Sequence, residues 1–531
     1  MKQTIDFVLL LTFLVSGFGC SDSSKKYPVP PADAKAGNFI SEAKSYKMGS
    51  KQYEADYGTI TVPENRGISI SRLINIPFLR INSPSKNPRE PIFCFSGGPG
   101  QSNMSWDWES MWYLLPEHDL VAVGYRGVDG STVLDCPEVA KAFKGDGDLL
   151  GEESMKTIGR AWSASAKRLT AQGIDLNGYT MLEVIEDNES VRKVLGYERI
   201  NLISGSYGTR VAYLYGLKYP NSIYRSVMIS VNPPGRFVWE PQMIDTQLKH
   251  YAALWSRDSI LSFRSPDLYT AMRTVLNAMP RTWLAFSINP EKVKVVTFAL
   301  LFHRNTAAMV FDAYVAAAQG DPSGLALMSL AYDYIVPSLM TWGDLASKAV
   351  SADFDSARNY CADIDPSDMP LGSPMSKLLW GPLNYGCWPM EQLPEEFRKP
   401  QQSYVETLLM SGSVDFSTPA EFATKELLPY LKYGKQVILS ECGHVNDVLY
   451  VNPENTRRIL TSYYDTGTPN TSMNVYIPMD FSVRWGFPVI AKTALGVLAF
   501  IGIGLVAVLV WLIRRHGKWK ASKMIGTSEN M

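Results

Sequence analysis

Residues 200–208 read Ile200-Asn201-Leu202-Ile203-Ser204-Gly205-Ser206-Tyr207-Gly208, and the chain runs on from Thr209 to Leu217 with helical composition. An apolar strand enters a turn of small residues and leaves it as a helix. A strand-to-helix turn that lifts a serine clear of a sheet must be tight, so the positions two before and two after that serine need small side chains. Ser204 and Gly208 occupy them. A serine between glycines is also what a flexible loop looks like. Here the strand before it and the helix after it favour Ser206 as a nucleophile.

Around this turn lie other short apolar runs, at residues 92–95, 120–123, 227–231, 405–410 and 436–439, most of them flanked by Gly, Pro, Ser or Asn. Strands of this kind suit a sheet covered on both faces. Helical stretches separate several of them. The clearest is 181–195, with Val184, Val191 and Leu195 on one face and Gly196 as its stop. Alternation of strand and helix predicts an α/β fold with a mostly parallel central sheet. Residues 58–62 and 68–81, rich in Ile, Thr and Val around a Pro63-Glu64-Asn65-Arg66-Gly67 turn, predict a hairpin. The expected core is residues 57–238 and 400–464. Between them, 239–399 carries helical segments such as 267–279 and 298–318 without a convincing strand, and reads as an inserted helical cap.

A serine hydroxyl needs a base, and the base needs an orienting acid. Asp415 lies just past the strand 405–410, and His444 just past 436–439 in Glu441-Cys442-Gly443-His444. The order Ser, Asp, His is that expected on this architecture. Of the five histidines, His118, His250, His303 and His516 lack such a position. The alternative for Asp415 is a cap for a helix starting near Thr418, and Asp447 is the competing acid. An oxyanion hole needs backbone N–H groups aimed at the developing charge. The loop Phe95-Ser96-Gly97-Gly98-Pro99-Gly100-Gln101-Ser102 can supply one from Gly98, since Pro99 cannot donate, and the elbow can supply another from Tyr207. Trp106, Trp108, Trp112 and Tyr113, which follow the loop, read either as pocket lining or as core.

Together these pieces resemble the α/β-hydrolase family of proline iminopeptidase and the tripeptidyl aminopeptidases. The likeness runs from about Tyr57 to Tyr464, through Gly97-Gly98-Pro99-Gly100, Tyr125-Arg126-Gly127, residues 187–196, Gly205-Ser206-Tyr207-Gly208, residues 415–419 and Gly443-His444. It implies an α/β-hydrolase fold and a serine hydrolase acting on short peptides with a free amino terminus. An esterase is the alternative, and a binding scaffold without activity a more distant one. The sequence departs from the family at Ser96, where the loop often begins with His, and at Gly124, where an acidic residue often stands. The resemblance also implies cap carboxylates for the substrate amine. Glu240, Asp245 and Asp312 are only candidates, with a solvated or salt-bridged role the stronger reading for any one of them. The triad implies no metal and no organic cofactor.

The two ends belong to something other than this core. Lys2 and an apolar run over 7–18 before Cys20 predict a signal peptide at 1–20, with Gly19-Cys20 as a candidate lipidation site. Residues 21–56 read as linker and N-terminal extension. At the other end, 493–513 is 21 residues without a charge, spanning roughly 31 Å as a helix. Trp485 and Trp511 flank it, and Arg514, Arg515, Lys518, Lys520 and Lys523 follow. This predicts a transmembrane helix with a cytoplasmic tail at 514–531, preceded by a linker over 465–492, and places the body outside the cytoplasm. In such a compartment disulfides are admissible, and of the six cysteines Cys361 and Cys387 are the expected pair. With 51 basic against 52 acidic residues the net charge is only -1, so nucleic acid is not an expected partner. The expected partners are a small peptide substrate and the membrane.

Overall fold

The structure is a computed structural model that describes residues 27–526 apart from 146 and 367, with side chains described as far as 514. The expected signal peptide and Cys20 lie outside the described residues. A nine-stranded sheet has the order β1-β2-β3-β5-β4-β6-β7-β10-β11, from β1 (Phe39–Met48), β2 (Lys51–Pro63), β3 (Leu73–Ile81), β4 (Arg89–Phe95), β5 (His118–Val123), β6 (Ile200–Gly205), β7 (Ile223–Ile229), β10 (Glu406–Gly412) and β11 (Gly434–Leu439). The pairs from β1 to β5 are antiparallel, and every pair from β5 onward through β4 is parallel. Both β5 and β6 are buried at every position. One face is covered by the helices Met181–Val194 and Tyr207–Lys218. The other is covered by the helix Pro453–Thr466 and the turns that hold Trp108 and Leu115.

In chain order β4 pairs with β5 on one side and β6 on the other, so the connections leave its two neighbours in opposite directions. Such a switch point opens a crevice beyond the carboxyl ends of the strands. The glycine loop after β4 and the Ser206 turn after β6 both sit there.

Several expectations need correcting. Residues 21–56 are not all linker, because β1 and β2 form an antiparallel ladder running from Phe39 opposite Ile60 to Met48 opposite Lys51. β1 is exposed along most of both faces, so it carries no apolar alternation, and its charged residues Glu42, Lys44 and Lys47 suit an open edge. The strand expected from residue 68 starts at Leu73, with Ile70 fully in solvent. The cap does contain a strand pair, β8 (Thr282–Trp283) with β9 (Phe286–Ser287). The helix expected over 298–318 is broken into Pro290–Leu300 and Arg304–Ala318, with residues 301–303 between them. Nor is the cap's core its own. Trp162, on the earlier helix Glu152–Ala171, stacks edge-on with Trp388 at 5.7 Å, and both belong to one buried cluster with the cap helices. Trp108 is buried in the core of the sheet, Trp106 and Tyr113 pack against it partly buried, and Trp112 is exposed, so core is the reading the structure gives all but Trp112.

Cys361 and Cys387 are not bridged: both are free, Cys361 donating to the Gly381 carbonyl at 3.4 Å while Cys387 is exposed. The terminal helix runs from Phe487 to Gly526, so it begins ahead of residue 493. Its stretch Phe487–Arg514 is long and apolar enough to cross a membrane, and contains an 18-residue window with a mean hydropathy of 2.8. Residues 465–492 are not a free linker either. Met479, Phe481 and Phe487 are buried in the cap cluster, and Lys492 pairs with Asp321 at 2.5 Å.

Candidate active site

Ser206 has φ 52° and ψ −124°, a conformation that strains any residue with a side chain. Neighbouring strands impose it. The Ser206 N–H donates to the Ile229 carbonyl at 2.9 Å, and its own carbonyl accepts from the N–H of Thr209 at 2.9 Å and the Thr209 hydroxyl at 2.6 Å. Gly208 must lack a side chain, because a Cβ there would lie 2.2 Å from the Phe95 carbonyl oxygen. Ser204, one of the two small residues of the turn, is accommodated because its hydroxyl donates to the Val227 carbonyl at 3.0 Å inside the sheet.

Asp415 follows β10 and His444 follows β11. Their loops pass so closely that a Cβ on Gly412 would lie 2.1 Å from the Cys442 carbonyl oxygen. His444 Nδ1 sits 3.0 and 2.9 Å from the two Asp415 oxygens. Asp415 also accepts from the N–H groups of Ser417 and Thr418 at 3.0 and 2.8 Å, and from the Thr418 hydroxyl at 3.0 Å. Asp415 is fully buried, and burial pushes its carboxyl upward, but the His444 charge and hydrogen bond, the Thr418 N–H and the Ser230 hydroxyl outweigh it and hold the pKa below the ordinary value. The carboxylate therefore both caps the turn at Thr418 and orients the imidazole.

Asp447, the competing acid, does not hold the imidazole. Its Oδ2 accepts the N–H groups of Gly443 and Arg304, each at 2.8 Å, and burial pushes its pKa up. It shapes the turn before His444 and ties that turn to the break between the two cap helices. From the same break the Phe302 carbonyl accepts the His444 N–H at 2.7 Å, and the Phe302 ring meets the imidazole edge-on at 5.4 Å. The histidine turn also lies against the elbow. The N–H of Val445 donates to the Ser230 hydroxyl at 2.9 Å, and a Cβ on Gly205 would lie 3.2 Å from Val445. Among the described residues Ser206 and His444 are not yet hydrogen-bonded, as is common for catalytic pairs without substrate.

The glycine loop packs on Ser206, for a Cβ at Gly97 would lie 2.7 Å from that of Ser206. Neither Gly98 nor Tyr207 donates its N–H to an acceptor among the described residues, whereas Ser96 donates to Asn103 Oδ1 at 2.7 Å and Gly100 to Asp344 Oδ2 at 2.9 Å. Asn103 in turn donates to the carbonyls of Cys94 and Val123, both at 2.8 Å. Asp129 accepts from Ser102, Asn103 and Tyr125, and burial raises its pKa to about 6 despite these bonds. A Cβ on Gly124 would fall 2.6 Å from the Cβ of Asp129, so here the acidic group beside this loop comes from residue 129. Asp344 and Lys348 are a fully buried cap pair, and Lys348 also donates to the Arg126 carbonyl. No sequence motif marks Asn103, Asp129, Asp344 or Lys348; their work is to hold backbone, which leaves no local pattern. Arg126 and Asp187, by contrast, lie in motif pieces, and form one buried bidentate pair at 2.7 Å.

The three cap carboxylates are all paired. Glu240 binds Arg358 through two bonds of 2.8 Å, Asp245 binds Lys249 at 2.7 Å, and Asp312 binds Arg264 at 2.6 Å.

The fold, with this arrangement at its switch point, is that of the α/β-hydrolases. A profile described as the α/β-hydrolase fold matches residues 90–268. The chain is 26% identical over 203 residues to a tripeptidyl aminopeptidase of Streptomyces lividans, a match taking in 35% of this chain and 37% of that protein. It is 28% identical over 163 residues to the putative hydrolase YuaR of Escherichia coli K12, covering 29% and 31% respectively. The chain thus spans about a third of the length of the curated relatives it matches. Among solved structures it is similar to MGS-M2, an α/β-hydrolase enzyme from a deep-sea metagenome library, at 13% identity and a TM-score of 0.37, over 75% of this chain and 97% of that one. An esterase of Exiguobacterium antarcticum shows 13% identity and a TM-score of 0.34, over 74% and 96%. The chain's sequence relatives thus include tripeptidyl aminopeptidases of Streptomyces.

Proposed function

We propose that the protein is a membrane-anchored serine hydrolase, facing away from the cytoplasm, that releases N-terminal residues or short peptides through an acyl-enzyme. The observation that carries the chemistry is Ser206 held at positive φ beside the His444–Asp415 pair. In this mechanism His444 takes the proton from the Ser206 hydroxyl as its oxygen attacks the substrate carbonyl. Asp415 keeps the imidazole turned toward the serine and stabilises the imidazolium. The N–H groups of Gly98 and Tyr207 receive the negative oxygen of the tetrahedral intermediate. His444 then protonates the leaving amine, and a water activated by the same imidazole hydrolyses the ester on Ser206. No step calls for a metal or an organic cofactor.

The apolar helix and the five basic residues after it support anchoring with the body on the far side of the membrane from residues 514–531. The aminopeptidase preference is supported by the relatives named above. An esterase remains the second reading because Glu240, Asp245 and Asp312 are each already engaged by a cation. Full-length protein in detergent, offered free and N-acetylated peptide amides beside a short acyl ester, distinguishes the two. Cleavage of the free-amine peptides alone, abolished by Ser206→Ala, is the expected result. Cleavage of the ester alone would replace the aminopeptidase with an esterase, and no serine-dependent turnover would remove the enzyme reading.

A further inference from the structure

The hydrolase core ends with the helix Pro453–Thr466, yet the chain returns to the site before it enters the apolar helix. The Tyr476 hydroxyl donates to the Glu441 carboxylate, and the N–H of Met479 donates to Glu441 Oε2 at 2.5 Å. The Arg304 guanidinium donates to the carbonyls of Pro478 and, at 3.4 Å, Ile477. Beyond these contacts Phe481 is buried edge-on against Trp255 at 5.5 Å.

Glu441 and Arg304 are not neutral docking points. Glu441 stands three residues before His444, at φ 52°, with its N–H donated to Ser413 of the Asp415 loop at 2.8 Å. Arg304 sits at the cap break, and its N–H shares Asp447 Oδ2 with that of Gly443. Both routes converge on the turn 441–444. A non-glycine residue at positive φ persists only where its surroundings impose it. At Glu441 those surroundings include residues 476–479.

We infer that the juxtamembrane strap, residues 476–485, is a positioning element of the active site: through Glu441 and Arg304 it fixes the turn that presents His444. The inference rests on His444 being the base assigned above. It makes the membrane-proximal segment part of the catalytic scaffold rather than a tether, so the position of the imidazole depends on chain that follows the hydrolase core.

The test uses full-length protein in detergent, a fluorophosphonate probe and p-nitrophenyl acetate. Glu441→Ala removes both strap contacts at one side chain, and is expected to slow Ser206 labelling and kcat about tenfold while KM changes by less than about twofold. Glu441→Gln, which keeps an acceptor for Met479, is expected to recover most of that loss. Tyr476→Phe removes one hydroxyl from a side chain that is 60% exposed, so it leaves the fold intact and decides the matter if Glu441→Ala fails to fold. A loss of about threefold in labelling with an unchanged melting temperature supports the inference. Wild-type labelling rates in Tyr476→Phe and in folded Glu441→Ala overturn it. A wild-type Ser206 that does not react at all would instead overturn the serine-hydrolase reading beneath it.

Discussion

The Ser206 turn and the His444 turn meet at one centre but are braced from opposite directions. The serine is held by its own sheet: Ile229 on the next strand, Phe95 beneath Gly208, and Thr209 in the helix it begins. The histidine is held by other parts of the chain, through the Phe302 carbonyl and Arg304 from the cap and Glu441 bound to the strap. The geometry of Ser206 is therefore tied to the core, whereas that of His444 follows the packing of cap and strap. Damage far from the chemistry should reach His444 and spare Ser206.

The largest effect should come from breaking the link between the pair itself. Asp415→Asn keeps the shape but supplies an N–H where His444 Nδ1 must donate, so kcat is expected to fall about 10⁴-fold, measured on whichever substrate wild type turns over. On the serine side, Gly208→Ala places a methyl 2.2 Å from the Phe95 carbonyl. A loss of about 1–3 kcal/mol in stability is expected by denaturant unfolding, together with a fall of about 100-fold in kcat as the elbow shifts. On the histidine side, Asp447→Ala leaves the N–H groups of Gly443 and Arg304 without their acceptor. About a tenfold loss in kcat is expected, with Gly208→Ala and Asp447→Ala losing stability by different routes. Equal stability losses with no drop in kcat for Asp447→Ala would erase the contrast between the two turns.

The smallest effect concerns the oxyanion loop and is read by pH. Asp129 titrates at about 6 in the folded protein against an ordinary carboxylate value of 3.8. A raised folded pKa means the folded state binds the proton more tightly, so this stabilising contribution is present in full below the ordinary value and is lost as pH rises through about 6. The melting temperature of wild type relative to Asp129→Asn should therefore increase from pH 7 to pH 5. A difference that stays constant over that interval would mean that Asp129 is not perturbed by its burial.

What the sequence disclosed follows the same division. The elbow was legible because strand, small residues and helix are consecutive, and Asp415 and His444 because each follows an apolar strand. The bracing was not, because it is made by hydrogen bonds to backbone between residues more than a hundred positions apart, such as the Phe302 carbonyl with His444 or the Asp344 carboxylate with Gly100. β1 escaped because an exposed edge strand needs no apolar pattern. The folded-back segment 465–492 read as a linker because its polarity and prolines mask the three apolar residues, Met479, Phe481 and Phe487, that dock it. Tyr125-Arg126-Gly127 and Asp187 were visible as motif pieces, but only the fold shows that they are one ion pair rather than reacting groups.

The central claim is that two differently braced turns make Ser206 a nucleophile, and peptide mapping of the fluorophosphonate adduct on full-length protein tests it most directly. A single adduct on the peptide carrying Ser206, lost in His444→Ala, is the predicted result. An adduct elsewhere, or one at Ser206 that forms equally well without His444, would contradict it.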